Sequence, residues 1–237
     1  MDSILTVTNL DLDIPKRRLF NHLSFELPAH KLTCITGENG VGKTTLVKHL
    51  LDDLARKNQN HVSFQITREQ VQYVPQLRNI DDEYPLSIYD FVALGFKKRI
   101  LPWNSPKMKA TLNQILAETN LTKIKYQPLG RASGGEKQRA YLAQALCANP
   151  ELLILDEATA SLDVVSKHEL LKLLTNIMKK RGLTILFITH DPELIEQYAD
   201  YELHLANQTG HLIKRGKAWC FTMPLCGTPS QRGFLSP

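Results

Sequence analysis

Apolar and polar positions alternate with a period of two in the first 36 residues of the chain. Leu23, Phe25 and Leu27 are separated by single polar residues, which is typical of a strand with one buried and one exposed face. Pro15 supplies a turn signal between two such segments. The pattern therefore predicts antiparallel strands at the N-terminal end.

Short apolar strands then alternate with helices. Apolar runs predict buried strands at residues 32–36, 71–74, 152–155 and 183–188, and Gly182 is placed to end a helix. Residues from about 77 to 145 are mostly helical in pattern, without a predicted strand. The order predicts an α/β fold with a largely parallel sheet and crossover helices. The apolar faces of two helices consist of Leu46, Val47, Leu50, Leu51 and Leu54, and of Leu170, Leu171, Leu174, Ile177 and Met178.

The composition is that of an ordinary globular protein, with 237 residues, 43% hydrophobic and 22% charged. One composite domain suits this length. No apolar run approaches the length of a membrane span, and Met1-Asp2-Ser3 does not begin a secretory signal. Cys34 and Cys147 lie among apolar neighbours, so buried thiols and a reducing compartment are expected. These features predict a cytoplasmic protein.

The net charge of +5 belongs to the end of the chain. Glu202 is the last acidic residue, and Lys214, Arg215, Lys217 and Arg232 follow it. Without those four cations, the chain has 25 basic and 24 acidic residues. A uniform nucleic-acid-binding face is therefore not supported, and no nucleic-acid partner is expected.

The segment Gly37-Glu38-Asn39-Gly40-Val41-Gly42-Lys43-Thr44 matches the phosphate-loop pattern G-x-x-x-x-G-K-[ST] in full. Glycines allow backbone N–H groups to turn inward around a polyphosphate, and the following helix directs its positive end at the same anion. Lys43 would reach the β- and γ-phosphates, and the Thr44 hydroxyl would ligate Mg²⁺. A glycine-rich turn without a ligand is the alternative.

Two carboxylates end the predicted strand at 152–155. Asp156 suits the binding of Mg²⁺, directly or through water, and Glu157 suits the polarisation of an attacking water. An apolar run that ends in Asp-Glu is common by itself. Its place on a buried strand downstream of a phosphate loop favours the catalytic interpretation.

A further motif, Ala132-Ser133-Gly134-Gly135-Glu136, stands at the predicted start of a helix. Small residues at a helix N-terminus would form a second anion site, and a plain N-capped helix is the alternative. The motif resembles the signature of the ABC (ATP-binding cassette) ATPases, usually Leu-Ser-Gly-Gly-Gln. The other motifs of the family occur in the expected order along the chain. Gln76, before the signature, resembles the Q-loop glutamine; after it, Ser161-Leu162-Asp163 resembles the D-loop and His190 the switch histidine. The resemblance covers roughly residues 3–216.

The resemblance implies a P-loop (RecA-like) core with a mostly parallel sheet, an N-terminal antiparallel β-subdomain and an inserted α-helical subdomain. The ATPase domain would span residues 1–216, with the helical subdomain at about 77–145. Residues 217–237 would form a basic, irregular tail, in which Cys220 and Cys226, with His204 and His211, raise the alternative of metal sensing.

The resemblance also implies a Mg²⁺-dependent ATPase whose site is completed in a homodimer that sandwiches ATP. Glu157, His190 and Gln76 would be catalytic, and Thr44, Gln76 and Asp156 would bind Mg²⁺. The residues implied to bind nucleotide are Gly37, Asn39, Gly40, Gly42, Lys43, Thr44, Thr45, Ser133, Gly134, Gly135 and Asp163.

Four positions depart from the family pattern. Ala132 replaces Leu, Glu136 replaces Gln, and Ala158 replaces the common Pro after Asp-Glu. The aromatic residue that stacks on adenine has no clear counterpart: alignment places Ile14 there, with Phe20 as the alternative.

Residues 82–95 resemble the corresponding segment of metal importers for zinc, manganese or iron. The resemblance implies a subunit that energises transport, with transmembrane permease subunits and a periplasmic or surface solute-binding protein as partners. It would act at the cytoplasmic face of the cell membrane. A regulatory ABC ATPase that switches a non-transport partner is the alternative.

Overall fold

Three antiparallel strands form a small sheet at the N-terminal end. In the computed structural model, which describes residues 2–15, 17–56, 60–76, 85–96 and 105–216, β1 (Ser3–Ile14) lies between β2 (Arg17–Pro28) and β4 (Val62–Phe64). Leu23, Phe25 and Leu27 of β2 are buried, and the residues between them are exposed. The alternating pattern thus places one face of the sheet in the core, as predicted.

Six further strands form the central sheet, which in order across the sheet are β5 (Val71–Val74), β6 (Leu152–Asp156), β7 (Thr184–Ile188), β3 (Leu32–Thr36), β8 (Tyr201–Ala206) and β9 (Thr209–Lys214). Neighbouring strands from β5 to β8 are parallel, and β9 pairs antiparallel with β8. All residues of β3, β6 and β7 are buried, as is usual for parallel strands covered on both faces.

Two apolar cores lie on opposite faces of the central sheet. Leu153 and Leu155 of β6 enter the core shared with most of the helices, while Ile154 enters the core shared with the antiparallel sheet and the helix α1 (Lys43–Arg56). The mostly parallel sheet with crossover helices is confirmed. The α-helices are α1 (Lys43–Arg56), α2 (Ile88–Ala93), α3 (Pro106–Glu118), α4 (Gly134–Leu146), α5 (Val164–Arg181) and α6 (Pro192–Tyr198).

The segment between β5 and β6 contains α2, α3 and α4, which confirms the inserted helical region. Phe91 of α2 packs edge-on against Tyr141 of α4, with ring centroids 4.9 Å apart. A Cβ atom on Gly95 would lie 2.0 Å from the carbonyl oxygen of Gln144, so only glycine permits this approach of the two backbones. The exact bounds 77–145 remain a prediction, because residues 77–84 and 97–104 lie outside the described ones.

The structure adds elements that the sequence patterns did not predict, namely β4, α6 and the β8–β9 hairpin. Helix α5 ends as predicted at Gly182, whose φ of 64° is left-handed. Cys34 and Cys147 are buried and free, as expected. Across the described ranges, no helix combines the length and the apolar character needed to cross a membrane. The predicted tail at 217–237 lies outside the described residues.

Candidate functional site

The phosphate loop connects the end of β3 to the start of α1. Gly37, Gly40 and Gly42 have φ angles of 137°, 79° and 111°, a region that side chains with a Cβ rarely adopt. A Cβ on Gly37 would also lie 2.4 Å from the carbonyl oxygen of Leu205. The backbone path of the loop, close to β8, therefore requires glycine.

Lys43 lies at the start of α1 and folds back over the loop. Its Nζ donates hydrogen bonds to the carbonyl oxygens of Gly37, at 2.8 Å, and Glu38, at 3.1 Å. The side chain is largely buried, so the ammonium group depends on these acceptors. Asn39 is exposed at the tip of the loop, while Thr45 lies in the first turn of α1 beside the positive helix end.

A hydroxyl and a carboxylate meet beside the loop. Thr44 Oγ1 donates to Asp156 Oδ1 at 3.2 Å, and the Tyr73 hydroxyl donates to Asp156 Oδ2 at 2.8 Å. Burial, then the hydrogen bond and negative charge of Asp156, raise the pKa of Tyr73. The tyrosine therefore stays protonated and holds the carboxylate in place. Hard oxygen donors of this kind suit Mg²⁺.

Sequence reasoning missed Tyr73. The available signal was a phenol on the strand predicted at residues 71–74, which leads to Gln76. Because the strand order was unknown, the pattern could not place Tyr73 next to Asp156.

Gln76, Glu157 and His190 follow the carboxyl ends of three adjacent strands. Val74 pairs with Leu155, so Gln76 follows β5 next to the end of β6. The backbone N–H of Glu157 donates to Ile188 O at 3.1 Å, two residues before His190. The carboxyl ends of parallel strands are where ligands bind in such sheets. The structure thus brings these residues to the edge that also carries the phosphate loop.

The conformation of Glu157 is unusual for a residue with a side chain, because its φ is 46°. The segment after it turns at once: Ala160 N donates to Glu157 O at 3.0 Å. Glu157 is half-buried, while His190 and Gln76 are exposed. A left-handed non-glycine residue at a candidate site is a feature that often accompanies function.

Ser133, Gly134 and Gly135 form the first turn of α4. The Ser133 hydroxyl accepts from Glu136 N at 3.3 Å, and Glu136 Oε2 accepts from Ser133 N at 2.8 Å. This reciprocal capping box explains how an acidic residue is accommodated at position 136. The hydroxyl hydrogen of Ser133 remains available to an anion, because the hydroxyl acts only as an acceptor in the cap.

The first turn of α4 lies beside the first turn of α5. A Cβ on Gly135 would lie 3.6 Å from Ser166 Oγ. Asp163 caps α5 by accepting from Ser166 N at 3.0 Å and Ser166 Oγ at 2.7 Å. These hydrogen bonds, the hydroxyl one foremost, lower the pKa of Asp163. Ser133, Gly134, Gly135 and Asp163 thus form a second group, on different elements from the phosphate loop.

The structure also bears on the residue that contacts the base. Phe20 is fully buried and offers no surface for stacking, whereas Ile14 is 37% exposed. Of the two alternatives, only Ile14 is accessible. A cavity of about 390 Å³ borders the loop at Glu38, Asn39 and Val41.

The fold and this loop define a P-loop nucleotide-binding protein. Residues 20–160 match the family model described as ABC transporter. The zinc transport system ATP-binding protein AdcC of Streptococcus pneumoniae is 31% identical over 213 residues, covering 85% of this chain and 89% of that protein. The manganese transport system ATP-binding protein MntB of Bacillus subtilis is 32% identical over 206 residues, covering 83% and 81%.

A solved structure gives the same result. An inward-facing ABC transporter assigned to the metal-chelate type superposes with a TM-score of 0.77 at 27% identity, covering 90% of this chain and 84% of that one. The chain belongs to the ABC transporter family, as an ATP-binding subunit that hydrolyses ATP to energise transport.

Proposed function

We propose that the phosphate loop, Asp156 and Glu157 form the ATPase site, and that ATP sandwiched between two copies of the chain drives import of a metal ion. The observation that carries the site assignment is the contact of Thr44 Oγ1 with Asp156 Oδ1 at 3.2 Å. This contact joins the phosphate loop to the carboxylate pair at the end of β6, which is 112 residues away along the chain. It lies at the end of the loop where the phosphates would bind.

When the loop binds the phosphates, Lys43 replaces its present hydrogen-bond acceptors with phosphate oxygens. Backbone N–H groups from Asn39 to Thr45 surround the phosphates at the N-terminus of α1. Lys43 Nζ exchanges the carbonyl oxygens of Gly37 and Glu38 for oxygens of the β- and γ-phosphates. The new hydrogen bonds are stronger than the old ones because both partners are charged.

Thr44, Asp156 and Gln76 supply the oxygen atoms for Mg²⁺. When bound, the ion neutralises charge on the β- and γ-phosphates. The Thr44–Asp156 hydrogen bond supports this role, because it already brings the hydroxyl and carboxylate oxygens together. Tyr73 keeps the second oxygen of Asp156 occupied and so orients the carboxylate.

Glu157 acts as the general base. Its position one residue beyond Asp156, at the carboxyl end of β6, supports this role, because Asp156 contacts Thr44 of the loop. His190, at the end of the neighbouring strand β7, contacts the γ-phosphate and stabilises charge in the transition state. The backbone hydrogen bond from Glu157 N to Ile188 O supports this pairing, because it joins the end of β6, next to Glu157, to the end of β7, close to His190.

A second copy of the chain completes the site. Ser133, Gly134 and Gly135 donate to the γ-phosphate bound by the opposite copy, and Asp163 lies nearby because it accepts from Ser166 N next to Gly135. The exposure of Ser133 and Asp163 supports this arrangement. The two copies contribute the same surface, so the interface is isologous and holds two ATP molecules.

The cargo is proposed from the relatives, whose names specify zinc and manganese transport. The subunit then docks on a membrane permease from the cytoplasmic face and works with a periplasmic or surface solute-binding protein. Exposed apolar side chains of the helical region support a protein partner there, since Leu94 is 52% exposed and Tyr126 is 73% exposed.

Transport by the purified subunit and its permease in liposomes tests the function. Lys43→Ala should abolish ATP hydrolysis and metal uptake, because the β/γ charge loses its partner. Lys48→Ala, which removes an exposed lysine from the same helix, is the matched control and should keep both activities. Hydrolysis near the wild-type rate in Lys43→Ala would contradict the site. Hydrolysis without a co-purifying permease partner would favour the regulatory ATPase.

A further inference from the structure

A row of three polar side chains crosses the central sheet just before the phosphate loop. Thr36 of β3 pairs with His204 of β8, and His204 pairs with His211 of β9. Side chains of directly opposed residues project from the same face, with Cβ atoms about 4.5–5.5 Å apart in an antiparallel pair. Thr36, His204 and His211 therefore stand side by side, with His204 in the middle.

The hydrogen bonds of Thr36 show that Nδ1 of His204 carries a proton. Thr36 Oγ1 lies 2.6 Å from Glu202 Oε1 and 3.0 Å from His204 Nδ1. Thr36 Oγ1 donates its single proton to Glu202 Oε1, so it accepts a hydrogen bond from Nδ1–H of His204.

In the neutral imidazole of His204, the lone pair is then on Nε2, the nitrogen that does not contact Thr36. Because Nδ1 is held by Thr36, Nε2 lies on the far side of the ring from β3. The side chain of His204 is 48% exposed, and His211 is exposed beside it on β9. Solvent and dissolved ions can therefore reach both rings.

We propose that His204 and His211 form a binding site for a divalent transition-metal ion such as Zn²⁺. Imidazole nitrogens bind zinc at about 2.0–2.1 Å, and neighbouring histidines on paired strands can approach one ion together. Imidazole suits Zn²⁺, Ni²⁺ and Cu²⁺, whereas Mg²⁺ prefers oxygen. The site is thus chemically distinct from the one at Thr44 and Asp156.

Thr36 and Glu202 act as the outer shell of this site. Histidines that bind metals usually donate their other ring N–H to a polar partner, which orients the ring and makes it a better ligand. Among the described residues there is no group of three or more His, Cys, Asp or Glu side chains that could hold a metal. The proposed site therefore has two protein ligands, with water as the remaining ones.

Isothermal titration of the full-length protein with ZnCl₂ tests the proposal. Wild type should bind one ion at this site, and excess Mg²⁺ should not displace it. His204→Gln and His211→Gln should each weaken this binding by more than the roughly 10–100-fold that loss of an outer-shell partner costs. Thr36→Val should weaken it by about that 10–100-fold, since it removes the acceptor of Nδ1–H.

His22→Gln is the matched control, because His22 is also an exposed histidine on a strand but lies in the other sheet. It should bind zinc like wild type. Circular dichroism melting of each variant establishes that it is folded. Zinc affinity unchanged in His204→Gln or His211→Gln would overturn the proposal, and would assign any bound zinc to other residues.

Electron paramagnetic resonance of bound Cu²⁺ gives a second readout that does not depend on affinity. Two nitrogen donors are expected in wild type and one in His211→Gln. A spectrum with oxygen donors only, or one that His211→Gln leaves unchanged, would contradict the two-histidine site. Both measurements are made without ATP or permease, so they can fail while the transport function stands, and the reverse.

Discussion

Two neighbours hold the carboxylate of Asp156 in one orientation. Thr44 Oγ1 contacts one oxygen, and the Tyr73 hydroxyl contacts the other. Because burial and Asp156 raise the pKa of Tyr73, the tyrosine donates this bond throughout the working pH range. Tyr73 is thus a positioning residue for the proposed Mg²⁺ ligand.

Tyr73→Phe removes only the hydroxyl and leaves the ring. The variant should need about 10–100-fold more Mg²⁺ for half-maximal ATPase activity, as is usual on loss of an outer-shell partner. Its rate at saturating Mg²⁺ should fall much less. Tyr89→Phe, in α2, is the control. An unchanged Mg²⁺ requirement in Tyr73→Phe would show that the hydroxyl does not position Asp156.

Glu136 places a carboxylate beside the proposed second anion site. Glu136→Gln removes the charge but keeps the capping box, since glutamine can also occupy that position. The approaching γ-phosphate is then repelled less, and ATP-dependent dimerisation should tighten by about 1 kcal/mol, roughly fivefold. Sedimentation equilibrium in the Glu157→Gln background measures this. Equal or weaker dimerisation would contradict the placement of Glu136 near the phosphate.

Helices α3 and α5 are joined by a cluster of charges. Glu118, at the end of α3, accepts from Lys180 at 2.6 Å and from Arg181 at 2.6 Å. Burial alone would raise the pKa of Glu118, but hydrogen bonds from Lys180, Gln114 and Arg181 bring it to about 2. The cluster ties the helical region to a helix of the ATPase core.

This cluster predicts a specific pH dependence of stability. The carboxyl has a lower pKa folded, about 2, than its ordinary 4.5, so its contribution is complete above about pH 4.5 and is lost as the pH falls toward 2. The difference in unfolding free energy between wild type and Glu118→Gln should therefore shrink over that range. Urea unfolding at several pH values measures it, with Glu169→Gln of α5 as control. A constant difference would contradict the ion-pair account.

The sequence predicted the elements whose patterns are local. Leu23, Phe25 and Leu27 alternate, and the buried strands β3, β6 and β7 are continuous apolar runs, so each was recognised. The β8–β9 hairpin was missed because β9 has an exposed, weakly apolar pattern and, among the strands that the structure describes, has β8 as its one partner. Strand order arises from tertiary packing, and for that reason neither the Tyr73–Asp156 contact nor the His204–His211 pair could be predicted.

In the proposed assembly, each ATP is bound by two chains. The two halves of the site lie on separate elements of one chain, and each ATP takes one half from each copy. Lys43 lies at the start of α1 and Ser133 at the start of α4. In a two-fold symmetric pair, each ATP would contact the loop of one copy and the first turn of α4 in the other. Nucleotide then stabilises the dimer through charge-assisted hydrogen bonds, and hydrolysis removes them.

Light scattering on Glu157→Gln with Mg-ATP tests this account most directly. The variant keeps the geometry but lacks the carboxylate that activates water, so it should be a dimer with Mg-ATP and largely a monomer with ADP. Adding Ser133→Arg should return the ATP-bound protein to a monomer, because the arginine side chain fills the space for the γ-phosphate. A monomeric Glu157→Gln that has bound ATP at saturation would contradict the shared site.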